Sequence, residues 1–124
     1  MPLGRPFVVP ILLLASVSAF AQPDVAGNWR VEFVVPTGER TVMMTINQRG
    51  SALSGRVVNE DGEFPVEGKI VEDRVTVEWT VPEQGEPITI TMNGKVRGDD
   101  IEGTARLGNL GEGSLYAHRL SRNP

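Results

Sequence analysis

The stretch G-N-W-R-V-E-F, residues 27–33, places an apolar side chain at every second position after an initial glycine. Successive side chains of a β-strand point to opposite faces, so this alternation is typical of a strand with one buried and one solvated face. The same alternation recurs along most of the chain that follows, and no window has a persuasive apolar stripe at helical spacing. The sequence therefore predicts an all-β protein that begins with a strand at about residues 28–35.

Clusters of Gly, Pro, Asn and Asp interrupt the alternation at short intervals, and these residue types favour turns. Between the clusters we predict eight strands, with the approximate bounds 28–35, 40–48, 52–58, 64–71, 74–81, 87–97, 100–107 and 113–121. One face of these strands is almost purely apolar and the other almost purely polar, so the sheet must bury one side. A single eight-stranded antiparallel up-and-down β-barrel, a meander, is the simplest closure, because it removes the exposed strand edges.

A short pattern of apolar, polar, Gly, polar, apolar residues occurs four times in these strands. Its glycines all fall on the apolar face, at Gly55, Gly68, Gly94 and Gly103. Glycine weakens a strand, so the presence of all four glycines on the same face of the sheet needs a reason. Either the glycines coincide by chance in a glycine-rich chain, or the sheet curves tightly inwards where side chains would collide. The second interpretation favours a barrel over an open sandwich.

Residues 1–21 have the features of a secretory signal peptide. Arg5 supplies a positive n-region, residues 7–20 form an apolar stretch, and Ala19-Phe20-Ala21 is a small-x-small cleavage pattern. The alternative is a retained N-terminal anchor, although the apolar stretch is short for a membrane span of about 20 residues. We predict cleavage after Ala21, a barrel domain over residues 22–124, a periplasmic or secreted location, and no membrane insertion after cleavage.

Composition excludes several classes of function. Without Arg5, 11 basic and 16 acidic residues remain, a formal charge of −5, so the surface has no electrostatic footprint for nucleic acid or anionic lipid. The chain has no cysteine. It therefore has no disulfide framework and no thiol nucleophile, and a domain of this size must be stable through its core alone.

Gly27-x-Trp29, followed by the predicted first strand, resembles the start of the first strand in the calycin superfamily, which includes lipocalins and avidins. The resemblance implies that an arginine on the last strand packs across the tryptophan and closes one end of the barrel. Arg119 shares the phase of Leu115 and Ala117 and would take this role, with Gly27, Trp29 and Arg119 as structural closure residues. The alternative register turns Tyr116, His118 and Leu120 inwards and leaves Arg119 in solvent.

A second resemblance concerns T-V-E-W-T, residues 76–80, which is similar to an avidin strand. Biotin capture does not follow from it. The avidin site is walled by several tryptophans and a set of polar residues, whereas this chain has two Trp and one Tyr.

The loops of such a meander divide between the two ends of the barrel. The end opposite the predicted Trp29–Arg119 closure, which we call the mouth, has mostly acidic loops, with Arg40 as the nearby base. Its acids are Glu39, Glu60, Asp61, Glu63, Glu83, Glu86 and Glu112. They serve either solubility alone or attraction of a cationic group or partner.

Few residues could support catalysis. His118 is the single histidine, and no carboxylate or serine stands at a recognisable motif spacing from it. Clustered His and Cys ligands for a metal are excluded by count. Asp99-Asp100 and residues 60–63 could offer carboxylates to calcium, but both stretches are good hairpin turns and match no dedicated loop pattern. We predict that the protein is not an enzyme and needs no metal or cofactor.

The interior of the barrel remains as the candidate site. An eight-stranded barrel is wide enough either to be filled by its own side chains or to hold one small ligand, and the sequence leaves both open. Our first hypothesis is an exported binding protein for a small apolar or amphipathic molecule. The large inward residues would line its site: Phe33, Met44, Phe64, Trp79, Ile90 and Met92.

The alternative is a filled barrel that acts as a protein–protein interaction module. Bacterial periplasmic protease inhibitors are similar eight-stranded barrels that begin with Gly-x-Trp, insert an N-terminal arm into the protease and commonly have a disulfide. Here the arm, Gln22 to Ala26, is short and the chain has no cysteine. These departures weaken the inhibitor hypothesis.

Overall fold

Eight strands follow one another along the part of the chain that the computed structural model describes, residues 22–82 and 85–124. They are β1 (Gly27–Val35), β2 (Gly38–Arg49), β3 (Ala52–Asn59), β4 (Gly62–Val71), β5 (Arg74–Pro82), β6 (Pro87–Arg97), β7 (Asp100–Leu107) and β8 (Glu112–Ser121). The predicted signal peptide, residues 1–21, lies outside the described residues. Within them, no helix is long and apolar enough to span a membrane.

The strands form one closed antiparallel barrel in sequence order. Each strand pairs with the next, and β1 also pairs with β8, where Val31 lies opposite Ala117. The predicted all-β, eight-stranded up-and-down barrel is confirmed. Because β1 and β8 pair with each other, neither has an edge on which another chain could add a strand.

Several strands extend one or two residues beyond the predicted ends. In the β1–β2 hairpin the pairing continues to Val35 opposite Gly38, and in the β3–β4 hairpin to Asn59 opposite Gly62. The connections at these points are therefore two-residue turns. The sequence predicts that the flanking Gly and Glu residues lie in loops, because Gly is common in turns, whereas the strand pairing continues up to the turn itself.

The alternation of side chains sorts the core from the surface as predicted. The inward residues are apolar and buried, and those most deeply enclosed include Trp29, Phe33, Met44, Ile70 and Met92. Phe64 and Ile88 are half-buried and pack against this core. The outward residues are mostly exposed and polar, so the sheet has one buried face and one solvent-exposed face.

Inward glycines lie where neighbouring strands approach each other closely. A Cβ atom on Gly68 would collide with the backbone carbonyl oxygen of Thr76 on β5, and one on Gly103 would collide with that of Asn93 on β6. Gly103 also lies opposite Gly94 in the β6–β7 pairing. Strand backbones can come this close only where no side chain intervenes, which accounts for the glycines on the inner face.

The last strand has the register in which Arg119 points inwards. Arg119 lies opposite Trp29 in the β1–β8 pairing and is buried, as are Leu115 and Ala117. Tyr116 and His118 are exposed on the outer face. The alternative register, with Tyr116 and His118 inside, is not the one observed.

Candidate functional site

A cavity of about 480 Å³ lies at the mouth of the barrel, the end that carries the β1–β2 and β3–β4 turns. Its wall combines buried apolar residues with exposed polar ones, so the cavity opens to solvent. We call it the mouth cavity. The apolar wall consists of Phe33, Val42, Trp79, Val81, Ile88, Ile90 and Leu107.

The register explains why these apolar residues meet at one level. Trp79 on β5 lies opposite Ile90 on β6, and Ile90 lies opposite Leu107 on β7. Side chains that are directly opposite on one face of paired strands are close neighbours. The three residues therefore form a continuous apolar strip across one side of the mouth cavity.

The six residues predicted to bind a ligand lie in three different positions. Phe33, Trp79 and Ile90 line the mouth cavity. Met44 and Met92 are fully buried and lie deeper, since Met44 is opposite Trp29 and Met92 is opposite Val77.

Phe64, the sixth residue of the predicted set, is half-buried, packs against the core and is not part of the cavity wall. It lies opposite Val57 in the β3–β4 pairing.

The predicted set omits other wall residues, and size does not explain the omission, since Ile88 and Leu107 are as large as Ile90. Val42, Val81, Ile88 and Leu107 also line the cavity, although each was assigned to the inner face. Proximity to the loops of the mouth was the signal that could have found them. Size alone does not report how far along the barrel axis a side chain lies.

The rim of the mouth cavity is polar and carries an excess of negative charge. Glu39, Glu60 and Asp61 contribute three carboxylates, and Arg40 contributes one guanidinium. The turn that carries two of these acids is held by a hydrogen bond of 2.8 Å from the backbone N–H of Asp61 to Oδ1 of Asn59. The rim potential therefore disfavours an anion at the entrance.

The indole nitrogen of Trp79, Nε1, is the one polar side-chain atom in the apolar strip formed by Trp79, Ile90 and Leu107. The Trp79 side chain is buried, and its indole Nε1–H donates to no group among the described residues. A buried donor without an acceptor costs about 1–3 kcal/mol. Trp29, at the other end of the barrel, has a conventional environment, because its Nε1–H donates to the carbonyl oxygen of Val25 at 2.9 Å.

The opposite end of the barrel is closed by Arg119 and Trp29. The Arg119 guanidinium carbon lies 4.9 Å from the centroid of the Trp29 ring, a cation–π distance. Its Nε donates to Oδ1 of Asp99 at 2.8 Å, and its two terminal nitrogens donate to backbone carbonyl oxygens of Asp24, Ala26 and Gly98. A buried cation is tolerable here because it is paired and hydrogen-bonded on several sides.

The segment before β1 completes this closed end. Val25 is fully buried, and its backbone N–H donates to Oε1 of Gln48 at 2.8 Å, while Gln48 Nε2 donates to the carbonyl oxygen of Pro23 at 3.2 Å. Gly27 begins the strand at φ +142°, and a Cβ there would collide with the carbonyl oxygen of Ser121. The segment is thus a packed part of the barrel floor.

A polar cluster on the outer face joins β7 and β8. Asp100 Oδ1 accepts a hydrogen bond from the Tyr116 hydroxyl and contacts Nδ1 of His118, both at 2.8 Å. The His118 and Tyr116 contacts lower the pKa of Asp100, and the contact with Asp100 raises the pKa of Tyr116. These side chains are solvent-exposed on the outside of the barrel, apart from the mouth cavity.

Within residues 22–82 and 85–124, no group of three or more His, Cys, Asp or Glu side chains is placed to hold a metal ion.

Comparison with known proteins adds no relative to this description: no model of a protein family matches the chain, and no curated protein matches it significantly.

Proposed function

We propose that this protein is a non-enzymatic, calycin-like barrel that binds a small apolar or amphipathic molecule in the mouth cavity. The observation that carries the proposal is a solvent-open cavity of about 480 Å³ whose lining is divided equally between apolar and polar residues. This volume lies within the range of about 300–1,000 Å³ that is common for ligand sites, and the apolar half of the lining offers the hydrophobic contact that such sites use.

In this proposal the two ends of the barrel have different roles. Trp29 and Arg119 stabilise the floor, whereas Phe33, Trp79 and Ile90 contact the ligand together with Val42, Ile88 and the other wall residues. Met44 and Met92 are in the core and Phe64 packs against it, and none of the three lines the cavity. The excess of carboxylates on the rim favours a neutral or cationic ligand over an anionic one.

The non-enzymatic part of the proposal rests on where the single histidine lies. His118 and Asp100 form the contact most like an acid–base pair, and both side chains are on the outer face. A reacting group in the mouth cavity would be out of their reach.

Protease inhibition through an inserted N-terminal arm has less support. Residues 23–26 are tied to Gln48, Arg119 and Trp29 by hydrogen bonds. Inserting this segment into a partner would break those bonds and expose Val25, which is fully buried.

The features of residues 1–21 support export and a periplasmic or secreted location. N-terminal sequencing of the exported protein is expected to begin at Gln22. A start at Met1 would contradict cleavage.

Titration with N-phenyl-1-naphthylamine, a neutral probe that fluoresces in apolar sites, tests the proposed binding. In Ile88→Trp the larger side chain takes up part of the cavity volume. We expect this variant to bind the probe at least about tenfold more weakly, because the close-packed residues around the cavity cannot move apart to restore that volume. The matched control is Thr89→Trp, which adds the same chromophore at the adjacent, outward-facing position. Equal Kd values for the two variants would contradict binding in the mouth cavity.

A further inference from the structure

The two tryptophans of this protein differ in how their indole N–H groups are satisfied. Trp29 donates to the carbonyl oxygen of Val25, but Trp79 donates to no group within residues 22–82 and 85–124. Trp79 is only 2% exposed, so bulk water is a poor substitute for the missing acceptor. A phenylalanine would provide an apolar wall at this position without leaving a buried donor unpaired.

The apolar residues that share the cavity wall with Trp79 supply no acceptor from their side chains. Its cross-strand partner Ile90, and Leu107 beyond it, are aliphatic. Phe33 and Val81, which also line the cavity, have no polar side-chain atoms either. The carboxylates of the cavity wall belong to Glu39, Glu60 and Asp61, which are exposed at the rim.

We propose that the ligand of the mouth cavity carries a neutral hydrogen-bond acceptor, a carbonyl or ether oxygen, on its buried part, and that Trp79 Nε1–H donates to it. This inference rests on the proposed function, since it requires a ligand in the cavity. The indole N–H is a donor only, so the complementary group must be an acceptor. A carboxylate would also accept, but it would have to pass the negatively charged rim and lose its hydration in an apolar wall.

The buried position of the nitrogen adds a structural consequence. Trp79 itself, or a side chain beside it, must shift when the acceptor arrives, because the nitrogen is covered without ligand. The hydrogen bond would therefore fix the indole in one orientation. Specificity follows, because an apolar ligand without the oxygen fills the same volume but leaves the donor unpaired.

Two compounds of nearly the same shape, 2-acetylnaphthalene and 2-ethylnaphthalene, separate the hydrogen bond from apolar burial. The first has a carbonyl oxygen that the second lacks. Their Kd values are measured on the wild-type chain and on Trp79→Phe, by NMR titration of the ¹⁵N-labelled protein. We expect the ratio of the two Kd values to change about tenfold, in favour of the ethyl compound, when Trp79 is replaced, since one hydrogen bond to a buried donor is lost.

The indole N–H signals give a second readout that needs no variant. We expect 2-acetylnaphthalene to move the Trp79 signal strongly downfield and to leave the Trp29 signal in place, because the Trp29 N–H is already bonded to Val25. We expect 2-ethylnaphthalene to shift the Trp79 signal only slightly.

The outcomes distinguish this inference from the proposed function. If both compounds bind with a ratio that does not depend on Trp79, and the Trp79 signal stays in place, the inference is overturned while ligand binding stands. If neither compound binds, both are overturned. If Trp79→Phe does not fold, the indole signals of the wild-type chain decide the inference.

Discussion

Arg119 is the one buried charged residue in the described part of the chain, and its surroundings assign it a structural role. Its side chain is 2% exposed, whereas Arg122, which contacts the same Asp99 Oδ1, is 62% exposed. The two arginines thus share a carboxylate but differ in burial. A buried ion pair that is broken leaves an uncompensated charge, whereas an exposed pair contributes little.

We expect Arg119→Lys to lower the free energy of unfolding by about 2–4 kcal/mol, because the lysine cannot reproduce the planar fork that reaches Asp99 and three backbone carbonyls. Arg122→Lys is the matched control and is expected to change it by less than about 0.5 kcal/mol. Urea denaturation measures both. Similar losses in the two variants would contradict a special role for Arg119.

Tyr116 is the single tyrosine of the chain, so its titration can be followed directly by ultraviolet absorbance. Its hydroxyl donates to Asp100, and the phenolate would lose that bond, so its pKa lies above 10.0. We expect Asp100→Asn to move the Tyr116 pKa back towards 10.0. A titration midpoint that does not respond to this change would contradict the contact.

The pKa values of Tyr116 and Asp100 shift in opposite directions, so the two groups affect the stability of the fold at opposite ends of the pH scale. The raised pKa of Tyr116 stabilises the fold below pH 10.0, and the effect is lost as the pH rises through the folded value. The lowered pKa of Asp100 stabilises the fold above pH 3.8 and the effect is lost as the pH falls through the folded value. Neither group titrates near neutral pH.

At the scale of the strands, the inward glycines set how closely neighbouring backbones approach. Gly103 shows the constraint most clearly, because a Cβ there would collide with the Asn93 carbonyl oxygen and would also crowd the Gly94 Cα. Both are backbone atoms of the paired strand, which cannot turn away as a flexible side chain could. The strand pair must therefore separate if the glycine is replaced.

We expect Gly103→Ala to lower the free energy of unfolding by about 2–3 kcal/mol through this overpacking. Thr104→Ala, at the adjacent exposed position of the same strand, is the control and is expected to cost less than about 1 kcal/mol. Thermal unfolding followed by circular dichroism compares them. A Gly103→Ala barrel as stable as the control would show that the approach of β6 and β7 is not constrained by this glycine.

The strands themselves could be predicted from period-two alternation, because one face of every strand is buried against the same core. The position of each side chain along the barrel axis could not be predicted. Met44 and Trp79 are both large, apolar and inward, but Met44 lies opposite Trp29 near the floor and Trp79 lies opposite Ile90 at the mouth cavity. The position along the axis depends on the stagger between neighbouring strands, and the pattern of residue types does not reveal that stagger.

The unpaired indole of Trp79 was also beyond prediction from the sequence. Whether a tryptophan finds an acceptor depends on which backbone and side-chain atoms surround it after folding. Trp29 has the carbonyl of Val25 because the segment before β1 folds under the barrel, whereas Trp79 faces neighbours without acceptors. The sequence contains both tryptophans in similar alternating contexts.

As a whole, the molecule is a barrel with two unlike ends. The floor is closed by Trp29, Arg119 and the segment before β1, which are joined by hydrogen bonds. The opposite end holds the mouth cavity, with its apolar wall and mostly acidic rim. This difference between the two ends of the barrel is the basis for the proposed ligand site at the mouth.

Intermolecular NOEs locate a bound probe on the barrel. With N-phenyl-1-naphthylamine added to the ¹³C-labelled protein, we expect NOEs from the probe to the methyl groups of Val42, Ile90 and Leu107, which line the mouth cavity. We expect none to the methyl groups of Met43 and Val58, which are exposed on the outer face. NOEs confined to Met43 and Val58, or no NOE at saturating probe, would contradict a ligand site at the mouth of the barrel.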